Sequence, residues 1–283
     1  MKPAALNRRT AATALLLVAL AACQRDAAPV TEAPASPAAA AGTDGIAATP
    51  EPAATAAPGL VDVIETDPRY VVGISYPPAA AADPGLAKAL HDYAEASRAE
   101  LMQAVGGLDA APTAPYELSL GFRELMRTAD VVAVAADGSL YTGGAHGQPL
   151  VARFVWLPGE QRMLTSDALL ATPADWRPVA DYIGEQLGAA AHTRAADEAL
   201  DPADRQRLLS TALKMIDQGT EPQPQNFAQF EPVAAANGRI AALRFVFPPY
   251  QVGPYADGVQ NVEVPAAVLR PHLAEGVRGL FVE

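Results

Sequence analysis

Histidine occurs four times in 283 residues, as His91, His146, His192 and His272. The separations are 55, 46 and 80 residues, so no HxxxH or HExxH pair sets two imidazoles on one helix face, as zinc hydrolases do. No GxSxG elbow, GxGxxG turn or P-loop is present. The single cysteine, Cys23, excludes a disulfide framework and a thiolate metal site. Asp and Glu number 32, and two of them converging in space as a glycosidase pair remain open at this point. The expectation is a chain without cofactor, metal or catalytic residues. A cell-wall-modifying hydrolase built on carboxylates is the alternative, and a purely structural envelope protein is a third.

Two short segments concentrate unusual residues. Tyr141-Thr142-Gly143-Gly144-Ala145-His146-Gly147 is a glycine-rich loop around one imidazole, where glycine permits a tight path with positive φ. Its His146 reads either as a ligand contact or as a turn residue bonding the neighbouring backbone. Phe247-Pro248-Pro249-Tyr250-Gln251-Val252-Gly253-Pro254-Tyr255-Ala256-Asp257-Gly258 is stiffened by three prolines. Tyr250 and Tyr255 there form either a rigid binding surface or a structural corner that closes a sheet. Candidate binding residues are therefore Tyr141, Gly143, Gly144, His146, Tyr250 and Tyr255.

These segments, with the strand ending Ile74-Ser75-Tyr76-Pro77, resemble the YxGGAH and PYxxGPYAxG signatures of the RsiV/PdaC-type extracellular domain family. The resemblance covers about residues 60 to 280 in the family's order. It implies a binding-type domain, because the family includes a lysozyme-sensing anti-sigma factor and the accessory region of a peptidoglycan deacetylase. The deacetylase motif and a sigma-binding segment have no counterpart in this sequence. Lysozyme or another cationic wall hydrolase is the partner the resemblance implies.

Charge agrees with such a partner. Lys and Arg number 20, giving a formal net charge of −12, which argues against nucleic-acid binding. The N-terminus supplies an address. Lys2, Arg8 and Arg9 precede the apolar run from Ala11 to Leu20, which is too short to span a bilayer and fits a secretory signal. Leu20-Ala21-Ala22-Cys23 resembles a bacterial lipobox, with Cys23 acylated and first in the mature chain. Removing the three cations takes the formal charge from −12 to −15. Gln24, where Asp would signal inner-membrane retention in Gram-negative sorting, points to the outer membrane facing the periplasm.

The expected organisation is a signal peptide over 1–22, then the lipidated cysteine and a disordered linker over 23–59. Two interlocked subregions follow, 60–160 and 161–283. Residues 24–59 hold 14 Ala and 6 Pro and no aromatic, too little apolar surface to offset ordering entropy. From Leu60 the pattern changes. Tyr70–Tyr76 reads as a strand, and Asp83-Pro84 caps a helix whose stripe is Leu86, Leu90, Tyr93, Ser97 and Leu101. Tyr116–Arg127 and Val151–Leu157 read as strands, and Asp137-Gly138 as a two-residue hairpin turn. Thr172-Pro173 and Asp201-Pro202 each open a helix, the second ending at Gly219. Asn226–Glu231, Arg239–Phe247 and Val262–Val264 read as strands, before a short helix from Pro265. Hairpins without regular βαβ alternation predict an α+β fold with a mainly antiparallel sheet and several packed helices.

Overall fold

The computed structural model describes residues 59–196 and 201–283. The signal segment, Cys23 and linker positions up to 58 lie outside the described residues. Strands β1 (Val63–Asp67) and β2 (Tyr70–Ser75) are followed by helix α1 (Pro84–Gly106). Strands β3 (Tyr116–Arg127), β4 (Val132–Tyr141), β5 (Gln148–Leu157) and β6 (Arg162–Met163) come next. Then come helices α2 (Ser166–Leu169), α3 (Trp176–Ala195) and α4 (Pro202–Gly219). Strands β7 (Phe230–Ala234), β8 (Ile240–Phe247) and β9 (Gln260–Pro265), with short helices α5 (Ala266–Leu269) and α6 (Glu275–Arg278), complete the chain.

The fold is α+β. One sheet has the order β1-β2-β3-β4-β5-β6 and the other β7-β8-β9. All pairings within them are antiparallel except β2 with β3, which run parallel with Tyr70 opposite Tyr116. That exception is α1's doing, since a parallel pair needs a crossover and the 23-residue helix between the strands supplies one.

α1 covers one face of the large sheet. Its stripe buries Leu86, Leu90, Ala94, Leu101 and Val105 against Val72, Ile74, Leu118, Leu120, Phe122, Val132 and Val134. Each leucine so buried contributes roughly 1.5–3 kcal/mol. The opposite face gives Met126, Ala133, Val155 and Leu157 to a second core. There they join Trp176, Ile183 and Leu187 of α3, and Phe230, Leu243, Phe245 and Val264 of the small sheet. Strand alternation explains the sharing: Val132 and Val134 point to α1, while Ala133 between them points the other way.

Two local expectations are corrected. Asp137-Gly138 makes no turn, because β4 runs straight through it, with Asp137 opposite Val151 and Gly138 opposite Leu150. The glycine is required for a different reason. A Cβ at Gly138 would collide with the carbonyl oxygen of Ser119 and the Cα of Leu120 on the neighbouring strand. The β4–β5 turn lies instead at the glycine-rich loop. Asn226–Glu231 is likewise no single strand. Pro224–Phe227 forms a 3-10 turn and β7 starts at Phe230, because Phe227 is drawn into the core, stacked on Trp176 with ring centroids 4.7 Å apart.

Candidate functional site

The glycine-rich loop joins β4 to β5, and the proline-tyrosine segment joins β8 to β9. The two belong to different sheets, yet they meet. His146 and Tyr255 stack with ring centroids 3.9 Å apart and planes 19° from parallel. Tyr250 stands beside both, 6.4 Å from the imidazole and 5.7 Å from Tyr255 between centroids.

Hydrogen bonds fix the imidazole. His146 Nδ1 lies 3.1 Å from Gly147 O. A carbonyl only accepts, so in the neutral ring Nδ1 carries the proton and Nε2 is free to accept. Tyr250 Oη is 3.3 Å from that Nε2 and donates to it. Tyr255 Oη donates to Gly147 O at 3.4 Å, and Tyr141 Oη donates to Gly144 O at 3.3 Å. Gly143 and Gly144 have φ of +97° and +94°, conformations closed to most side chains. A side chain at Gly143 would also approach the Tyr116 ring, which packs edge-on against Tyr141.

The second loop is held from below. Tyr250 N donates to Gly253 O at 2.9 Å, and Gln251 N to Pro248 O at 3.2 Å. The Gln251 carboxamide donates to Gly219 O at 3.1 Å and to Asn226 O at 2.8 Å. Val252 is buried. Tyr250 itself has φ of +74°, which in a non-glycine residue costs about 1–2 kcal/mol. The residue is nevertheless 58% exposed. Burial therefore does not hold this aromatic in place; the prolines and the Gln251 anchor do. Beside it opens a cleft of about 430 Å³, lined by Thr142, His146, Gln148, Pro149, Pro248 and Tyr250 among others.

The structure thus gathers all six sequence-predicted binding residues at or just behind one surface. His146, read from sequence as either a ligand contact or a turn residue bonding the neighbouring backbone, bonds the adjacent carbonyl and stacks on Tyr255 of the second loop. Tyr116, Thr142, Gln148 and the Gln251 anchor were not singled out. Thr142 and Gln251 lie within the two marked segments but carry no signal of their own; Tyr116 and Gln148 take their places from strand pairing, and Gln251 its partner from the approach of α4's end.

Among the described residues no three His, Cys, Asp or Glu side chains gather as a metal site. One cluster pairs a hydroxyl, a carboxylate and an imidazole. Thr172 Oγ1 donates to Asp175 Oδ2 at 2.7 Å, and His272 Nδ1 lies 3.0 Å from Asp175 Oδ1. The Thr172 hydroxyl, then His272, holds the Asp175 carboxyl below the usual carboxylate range. Here the carboxylate sits between hydroxyl and imidazole, so the imidazole has no hydroxyl to activate. The group is a capping box at the entrance to α3.

Residues 177–267 match a family described as a protein of unknown function (DUF3298). The matched stretch runs from α3 to α5, so it contains Tyr250 and Tyr255 but not the glycine-rich loop. Two solved structures are similar to the chain. A member of that family from Bacteroides fragilis is 17% identical, covers 68% of this chain and 69% of its own, and has a TM-score of 0.44. A family protein from Pseudomonas aeruginosa PAO1 is 16% identical, covers 79% of this chain and 94% of its own, and has a TM-score of 0.45. No curated protein matches the chain.

Proposed function

We propose that this protein is a binding module anchored to the cell envelope through a lipidated Cys23, facing the periplasm from the outer membrane. Its recognition surface is the joint between the two loops, and its partner is a cationic wall hydrolase such as lysozyme. The RsiV/PdaC-type kinship belongs to this proposal, as does the absence of catalysis.

The observation that carries the reading is Tyr250. A tyrosine in the left-handed region, 58% exposed, is held against its conformational cost at the point where two sheets meet. Exposed strain of this kind is characteristic of ligand contacts, and tyrosine is prominent among residues that dominate binding energy. The formal charge of −12 supports a basic partner, whose encounter it would speed and make salt-sensitive.

Calorimetry of the mature lipidated chain in detergent with lysozyme, at low and physiological salt, tests this. Binding that survives physiological salt and weakens in Tyr250→Ala is expected. Heat only at low salt would reduce the interaction to charge attraction, and no heat at either salt would refute the lysozyme assignment.

A further inference from the structure

We propose that the cleft beside Tyr250 binds a neutral saccharide. This rests on the reading of the two loops as a recognition surface, but not on the identity of the protein partner. At about 430 Å³ the cleft falls within the range of small-molecule sites, about 300–1,000 Å³.

The lining decides the ligand's charge. No Lys, Arg, Asp or Glu lines the cleft. His146 is already engaged through Nδ1 by Gly147 O and through Nε2 by Tyr250 Oη. A charged ligand would surrender hydration here without meeting an opposite charge. An uncharged one loses far less.

The lining also decides the ligand's shape. Tyr250 presents an exposed aromatic face, and Pro149, Pro248 and Pro249 present C–H surfaces without donors. Thr142 and Gln148 are exposed and bring a hydroxyl and a carboxamide, each able to donate and accept. A pyranose matches this pattern, with an apolar C–H face to lie on the ring and a rim of hydroxyls for the polar pair. A proline-rich peptide is the other neutral occupant of aromatic grooves, and its carbonyls need donors along the ridge. At Tyr250 the hydroxyl is already committed to His146, which leaves only Thr142 and Gln148 to donate.

The test uses the mature lipidated chain in a detergent without a sugar head group. Triacetylchitotriose, cellotriose and a proline decamer are titrated separately by calorimetry, alongside lysozyme. Saturable binding of at least one trisaccharide, insensitive to salt, is expected. Tyr250→Ala weakens it by about tenfold or more, through loss of the stacked ring. Tyr250→Phe keeps the ring and retains binding, and Gln148→Ala, an exposed change away from the strained backbone, also weakens it. Silence of both trisaccharides, binding indifferent to Tyr250→Ala and Gln148→Ala, or binding of the proline peptide instead would each overturn the assignment. Lysozyme binding with silent saccharides overturns this inference and leaves the protein-partner reading standing. Saccharide binding with silent lysozyme does the reverse.

Discussion

Arg153 of β5 and Glu231 of β7 form an ion pair between the two sheets, Arg153 Nε donating to Glu231 Oε2 at 2.9 Å, with the side chains 7% and 8% exposed. Arg244 donates to the other carboxylate oxygen at 2.8 Å, and Arg153 also reaches Asp137 at 2.9 Å. Sequence separation makes the contact informative, since the partners lie 78 residues apart. Removing one member of a buried pair leaves the other uncompensated, at a cost of about 3–5 kcal/mol. Glu231→Gln is expected near the lower end, because Arg153 keeps Asp137. In a unit of this size that lowers the melting temperature by about 6–12 °C. Arg153→Met with Glu231→Leu should cost less than either single change. A Glu231→Gln protein melting with the wild type by circular dichroism would show that the pair does not hold the sheets.

Tyr250→Gly should separate stability from recognition. Glycine accepts φ of +74° without the side chain's steric penalty, so the folded state gains about 1 kcal/mol after glycine's own entropy is charged against it. The melting temperature rises by about 2–4 °C. Lysozyme and saccharide binding fall together. A lowered melting temperature would mean that the ring stabilises the joint with His146 and Tyr255 by more than the backbone strain costs.

Acid stability should depend on Asp175 and Asp201. Thr172 chiefly, then His272, lowers the Asp175 pKa, and the backbone N–H of Asp204, with that of Ala203, lowers that of Asp201. In both cases the folded state prefers the carboxylate, so the unfolded chain takes up protons first as pH falls. Their stabilisation is complete above the unfolded aspartate range and disappears through and below about pH 4. Asp175→Asn should therefore lower the melting temperature near neutrality and flatten its decline in acid. A decline as steep as that of the wild type would remove Asp175 as a contributor.

Lipid attachment is tested by growth with radiolabelled palmitate. The mature protein is expected to carry label, and Cys23→Ala to carry none. Label persisting in Cys23→Ala would end the lipoprotein assignment.

Local patterns determined a great deal. The stripe from Leu86 to Leu101 and the proline starts at Pro84 and Pro202 became α1 and α4, and the apolar alternation from Tyr116 to Arg127 became β3. Capping and periodicity act within a few residues, so they can be read along the chain. The glycine-rich and proline-tyrosine segments also declared themselves by composition. Their meeting did not. It depends on the large sheet giving its second face to α3 and the small sheet, which brings β5 beside β7 and so His146 onto Tyr255. Gly138 carries the same lesson. Next to Asp137 it has the composition of a turn, and only the close approach of Ser119 on β3 makes it a strand residue. Contacts between residues about a hundred positions apart are decided by how whole faces pack, and no local propensity encodes that.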